Sequence, residues 1–271
     1  MTARYPLWLF ALTTISFNAA LAQAGKSDVC PRDDKNFTTI QQRAEAKDPV
    51  AQMALASCYD LGSHVQPDGK ESVRWLTESA KQGYAPAQSQ LGRTFLYGRG
   101  IDVDYEKALL WERKAAEQGD QRAQRDLAFM YERGFGVPAD PAQAAEWNRK
   151  AAAQGEPAAQ LEVARKFAKL PDCAQAMHWY KEAVVHGVSV AMYELGMLYL
   201  DTKCSVDRNQ AFIWLTLGGR FGLDDGKTKA EQLAKTLTLT QKKRDLVVVK
   251  KWLNEHPNIA EDEDEKEKEE R

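Results

Sequence analysis

Between Asp104 and Gly119 the apolar positions Ala108, Trp111, Ala115 and Ala116 follow one another at three, four and one residues, which places them on one side of an α-helix. The predicted helix opens at Asp104, whose side chain can accept from free first-turn amides, and closes at Gly119, where a left-handed backbone is wanted. A second pattern frames it. Ala123, Leu127, Ala128 and Tyr131 repeat the spacing of Ala87, Leu91, Gly92 and Phe95, so a helix with a small-residue face is predicted on either side. Small side chains let helices approach, while the leucine and the aromatic fill the space between layers. Pro49, Pro86 and Pro157 fall in first turns, where no helical bond is lost, and Pro141 follows Asp140 at the first helical position.

The pattern is periodic. Trp75, Trp111, Trp147, Trp179 and Trp214 each stand seven residues after an aspartate (Asp68, Asp104, Asp140, Asp172, Asp207) and eight before a glycine (Gly83, Gly119, Gly155, Gly187, Gly222). From each of the first four glycines to the recurrent aromatic of the next repeat (Phe95, Tyr131, Phe167, Tyr199) the distance is always twelve residues. Variation falls within the repeat: aromatic to aspartate is nine residues from Tyr59, Phe95 and Tyr131, but five from Phe167 and eight from Tyr199. A helix pair repeated in this way buries its apolar face against its neighbours and needs no single core. The fold class predicted is all-α, an α/α superhelical solenoid of about five helix pairs. Residues 36–46, with Ile40 and Ala44 in the register of Leu76 and Ala80, fit a capping half-repeat. Residues 226–255 fit two closing helices, the second carrying Leu246, Val249, Trp252 and Leu253. The tryptophans are expected in the core.

Segments such as Ala87-Gln88-Ser89-Gln90-Leu91-Gly92, Tyr97-Gly98-Arg99-Gly100-Ile101 and Trp111-Glu112-Arg113-Lys114-Ala115-Ala116-Glu117-Gln118-Gly119 resemble the Sel-one-like repeat (SLR), a relative of the tetratricopeptide repeat. The resemblance covers residues 48–222, divided as 48–83, 84–119, 120–155, 156–187 and 188–222. It is weaker in the fourth repeat, which lacks the paired loop glycines (Gly98 and Gly100, Gly134 and Gly136), and in the fifth, where Lys203 and Ser205 are the neighbours. The resemblance implies a superhelix whose concave face binds proteins, with no catalytic residues to carry over. It also implies two family roles in bacterial envelopes: adaptors, and immunity proteins that neutralise toxins delivered by type VI secretion.

The flanking segments give an expected address. Residues 1–24 hold Arg4 as their one charge, an apolar run from Leu7 to Phe17 and small residues at Ala20, Ala22 and Ala24, the pattern of a signal peptide. Export to the periplasm is expected, with no integral membrane anchor. Residues 25–47 form an N-terminal segment with the capping helix, 223–256 the closing helices and 257–271 an acidic tail expected to be disordered. Residues 261–271 carry eight acids and three bases; the rest of the mature chain is near neutral, which disfavours nucleic acid. Cys30, Cys58, Cys173 and Cys204 behind a leader imply disulfides, with three possible pairings. If the helix pairs stack, Cys30 lies near Cys58, and Cys173 and Cys204 share an edge of adjacent repeats. Crossed pairs would span several helix layers, beyond the ~7 Å that a disulfide tolerates.

If Leu91, Gly92 and Phe95 face the core, Gln90, Arg93 and Tyr97 share another side of the same helix. The later rows are Asp126, Phe129 and Arg133; Glu162, Arg165 and Lys169; and Glu194, Met197 and Asp201. This ribbon, on the concave face, is the candidate partner-binding surface, because aromatic and arginine side chains dominate interface energetics. Signals for chemistry are weak. His64, His178, His186 and His256 make no helix-borne zinc pair, Gly226-Lys227-Thr228 reads as a turn between helices, and no nucleophile elbow occurs. No cofactor, metal or catalytic residue is expected. The reading is a protein-binding module, specifically a periplasmic immunity protein that neutralises a toxin, a phospholipase being one candidate. The alternatives are an envelope adaptor or scaffold in assembly or stress signalling, and a cell-wall-acting enzyme such as a β-lactamase-like hydrolase.

Overall fold

The computed structural model describes residues 30–31, 33–170, 172–257 and 259; the expected signal peptide and nearly all of the expected tail lie outside the described residues. Among the described residues there are thirteen helices and no strand, and the fold is all-α. The chain divides into two compact units, Met1–Asp140 and Pro141–Arg271. The first holds α1 (Asp34–Glu45), α2 (Pro49–Leu61), α3 (Gly69–Lys81), α4 (Ala85–Tyr97), α5 (Tyr105–Glu117) and α6 (Gln121–Arg133). The second holds α7 (Pro141–Ala153), α8 (Pro157–Lys169), α9 (Cys173–Val184), α10 (Ser189–Leu198), α11 (Arg208–Arg220), α12 (Asp224–Ala234) and α13 (Leu239–Glu255). Within each unit, helices adjacent in sequence pack in succession, except that α13 packs on α11.

The recurrent aspartate and glycine act as the pattern requires. The side chains of Asp68, Asp104, Asp172 and Asp207 accept first-turn amides of α3, α5, α9 and α11. Gly83, Gly119, Gly155, Gly187 and Gly222 all have positive φ. The aspartate has a second role: its own amide donates to the carbonyl of the preceding aromatic, at 3.1 Å for Asp68 to Tyr59, 3.0 Å for Asp104 to Phe95 and 2.8 Å for Asp140 to Tyr131. That bond closes the nine-residue loop. In the shortened loop after α8 it is replaced by Asp172 donating to Leu170.

Buried glutamines join the layers. Gln52, Gln88, Gln124 and Gln160, at the starts of α2, α4, α6 and α8, are buried and donate Nε2 to the carbonyl eight residues earlier: Ala44, Ala80, Ala116 and Ala152, at 3.0–3.4 Å. Each bond adds a second donor, from the next helix, to a last-turn carbonyl that already accepts the amide three residues on. Gln82 and Gln118 then donate to the side-chain oxygens of Gln52 and Gln88 at 2.8 and 2.6 Å, carrying the ladder from repeat to repeat in the first unit. In the fifth repeat this register holds Met192, fully buried, and the polar ladder ends.

Three expectations need correction. The five tryptophans are half-buried at the edge of the core, against which Trp75, Trp111, Trp179 and Trp214 pack; the fully buried positions of the same helices are Leu76, Glu112 and Leu215 with the alanines. The closing pair starts at Asp224, and Gly226-Lys227-Thr228 lies in the first turns of α12, not in a turn between helices. Gly226 is buried where α12 crosses α11, and a side chain there would strike the backbone of Gly219 at 2.9 Å. On α13, Val249 is buried and Trp252 and Leu253 pack on the core, but Leu246, one turn before Val249, is exposed. Trp252 meets Trp214 and Phe221 edge-on, so the last helix covers the tryptophan of the fifth repeat.

Cys30 is bonded to Cys58 and Cys173 to Cys204, with Cα separations of 4.8 and 5.8 Å, so neither crossed pairing occurs. The second bond joins the two loops of irregular length.

Candidate protein-binding surface

The first helix of each pair carries the expected ribbon: α4 supplies Gln90, Arg93 and Tyr97, and α6 supplies Asp126, Phe129 and Arg133. They are not equally presented. Tyr97 is 50% exposed, Arg133 is exposed, Gln90, Arg93 and Phe129 are half-buried, and Asp126 is buried. Asp126 turns inward because cations meet it there. Arg125 Nη2 bonds its Oδ1 at 2.7 Å, and Arg93 Nε stands 3.4 Å from its Oδ2 without hydrogen-bond geometry.

In the second unit Glu162 and Lys169 are exposed, and Arg165 is half-buried on α8. The Arg165 guanidinium bonds Glu194 of α10 through Nε and Nη2 at 2.6–3.0 Å and Glu162 through Nη1 at 2.6 Å. Hydrogen bonding to Glu194 raises the Arg165 pKa further. The Tyr180 hydroxyl donates to Glu194 at 3.0 Å; burial first, then the Glu194 charge, push its pKa up. Met197 packs on Phe212, Leu215 and Leu237 and is a core contact more than a surface one. Arg93 with Asp126 and Arg165 with Glu194 are thus the same device, an arginine of one repeat meeting an acid of the next. The middle of the ribbon is spent within the chain.

What remains outward in the first unit is aromatic and cationic. Arg133 lies over the Phe129 ring at 5.7 Å, Phe129 meets Phe135 edge-on at 5.6 Å, and Phe135 stacks on Tyr105 at 4.5 Å with planes 5° apart. Tyr105 is 39% exposed. Phe135 and Tyr105 escaped the sequence reading because they sit outside the helical register used to draw the ribbon. Phe135 lies between the paired glycines Gly134 and Gly136, whose φ values of 72° and 69° bring the loop onto the backbone of Tyr105. That glycine pair was the available signal. Among the described residues, no group of three or more His, Cys, Asp or Glu is placed to hold a metal, and no helix is long and apolar enough to cross a membrane.

The Sel1 repeat profile matches residues 49–84, 85–120, 121–156, 157–184 and 189–220. The chain belongs to the Sel1 repeat family. Its repeats make it a protein-interaction module, as is general for that family. Among solved structures it is similar to a protective antigen of uropathogenic Escherichia coli with an SLR fold, at 25% identity and a TM-score of 0.64, covering 83% of this chain. The chain spans 58% of that protein's length. It is also similar to a Sel1 repeat protein of Oxalobacter formigenes, at 22% identity and a TM-score of 0.63, covering 81% of this chain and 94% of the other. The immunity protein Pa5087 of Pseudomonas aeruginosa matches at 19% identity and a TM-score of 0.42, covering 72% of this chain and 69% of the other. No curated protein matches the chain in sequence.

Proposed function

We propose that this Sel1 repeat protein is exported to the periplasm and there binds and neutralises a toxin, as an immunity protein. The observation that carries the binding reading is the exposed Tyr97, Tyr105 and Arg133 with the half-buried rings of Phe129 and Phe135, which also pack on the core, since aromatic and arginine anchors supply most interface energy. The exported location is supported by two disulfides, which belong to oxidising compartments. The immunity role is supported by the SLR resemblance. The ion pairs of Arg93 and Arg165 make them poorer anchors than the spacing alone suggests, so the anchors in the first unit are Tyr97, Phe129 and Arg133.

The test is protection. A toxin candidate encoded beside this chain is directed to the periplasm of a sensitive host, with and without this protein. Rescue by the wild type, and its loss in a Tyr97→Ala, Phe129→Ala, Arg133→Ala triple variant with unchanged helical circular dichroism, is the expected outcome. Equal rescue by the triple variant would move the surface elsewhere. Binding of an envelope protein without any protection would replace immunity by the adaptor role.

A further inference from the structure

The residue after the cassette tryptophan is buried in four of the five repeats: Leu76, Tyr180 and Leu215 fill this position in the first, fourth and fifth, and in the second it is Glu112, with no exposed surface; in the third it is the half-buried Asn148. Neither oxygen of the Glu112 carboxyl has a hydrogen-bond partner. Gly92 makes its room, for a side chain at that glycine would come within 2.7 Å of the Glu112 carboxyl oxygen. The register that sets the Tyr180 hydroxyl between Arg165 and Glu194 in the second unit sets Glu112 between Arg93 and Asp126 in the first. The groups facing it are Arg93 and Tyr97 from α4, and Asp126 and Arg125 from α6, with Asp120 at the α6 N-terminus. We propose that Glu112 is a proton-operated latch on the seam of α4, α5 and α6: neutral, it fills the slot that leucine and tyrosine fill in other repeats; ionised, it competes with Asp126 for Arg93 and loosens that seam.

Burial first, then the charges of Asp126 and Asp120, push the Glu112 pKa well above the carboxylate range, outweighing the opposite pull of Arg93 and Arg125. The sign follows. The unfolded chain releases this proton near the ordinary Glu value of about 4.3, the folded one only at higher pH, so stability falls as pH rises between the two. The test compares the full chain with Glu112→Gln, which stays neutral, in urea titrations from pH 4.5 to 9. The folding constant of the variant is expected to gain on the wild type by up to about tenfold per pH unit, then level off. Parallel stability curves across the range would overturn the latch. The wild type gives an independent reading through the carbon-13 shift of the Glu112 carboxyl, expected to move at a higher pH than the shifts of the exposed glutamates. A shift that moves together with theirs would equally overturn it.

Discussion

His64 ties the N-terminal cap in place from a backbone conformation that few side chains adopt, with φ at 63°. Its ring stacks on Phe37 at 4.8 Å, and its two nitrogens reach the Pro31 carbonyl and the Asp34 carboxylate, both at 2.8 Å. The bond to the Pro31 carbonyl is the largest effect on its pKa and, with Asp34 adding to it, raises it above the usual 6.5 against the opposing effect of burial. The charged ring is therefore favoured by the fold. Its contribution is complete below about pH 6.5 and is lost as pH rises through the raised folded value. Hydrogen exchange of α1, corrected for its intrinsic pH dependence, should show protection falling as pH rises above about 6.5. His64→Asn, which tolerates the same φ, should remove that dependence; an unchanged profile would show that His64 does not hold the cap. None of this was legible from spacing, because the histidine meets residues some thirty positions away. The tryptophans misled for a related reason. A regular aromatic reads as core, but Lys114 and Lys150 lie over the rings of Trp111 and Trp147 at 4.4 and 4.0 Å, using the ring face that burial leaves free.

The helix pairs themselves were legible, since aspartate, tryptophan and glycine each mark a cap, a packing position or a left-handed turn. The glutamine ladder was not. A glutamine in a first turn reads as polar surface, and only the packing shows that it serves the carbonyl of the previous helix. Gln88→Leu should accordingly destabilise, although it adds apolar surface to a buried site. It removes the second donor to the Ala80 carbonyl, which keeps the Gly83 amide at 3.0 Å, and the shorter of the two Gln118 Nε2 bonds, at roughly 0.5–1.5 kcal/mol per bond. The urea midpoint measures this, and a gain in stability would show that water or a shifted side chain replaces the bond. On the candidate surface, spacing proposes Tyr97 and Arg133, which are exposed, and Phe129, which is half-buried. It could not show that Asp126 would be buried, because that depends on Arg125, which precedes it on the same helix and bonds its carboxylate, and on Arg93 of α4, which packing brings to 3.4 Å.

Each unit of the molecule contains one covalent bridge, closing 28 residues in the first and 31 in the second. Loops of that length correspond to about 3–4 kcal/mol per bridge by the chain-entropy account. Replacing Cys173 and Cys204 by serine should raise hydrogen exchange in α8 to α11 and spare α1 to α4; replacing Cys30 and Cys58 should do the reverse. Equal loss over both units would show that they open together. The ladder of Gln52, Gln88 and Gln124 has a further consequence, for the length of the array. Its bonds are written in sequence offsets that every repeat of the first unit shares, so removing residues 85–120, one whole matched repeat, leaves Gln124 eight positions after Ala80, where Gln88 stood. The splice leaves no carbonyl without its donor. Repeat number is thus uncoupled from polar bookkeeping, and a chain shortened by that one unit should still fold, its helical signal reduced in proportion and its unfolding still cooperative.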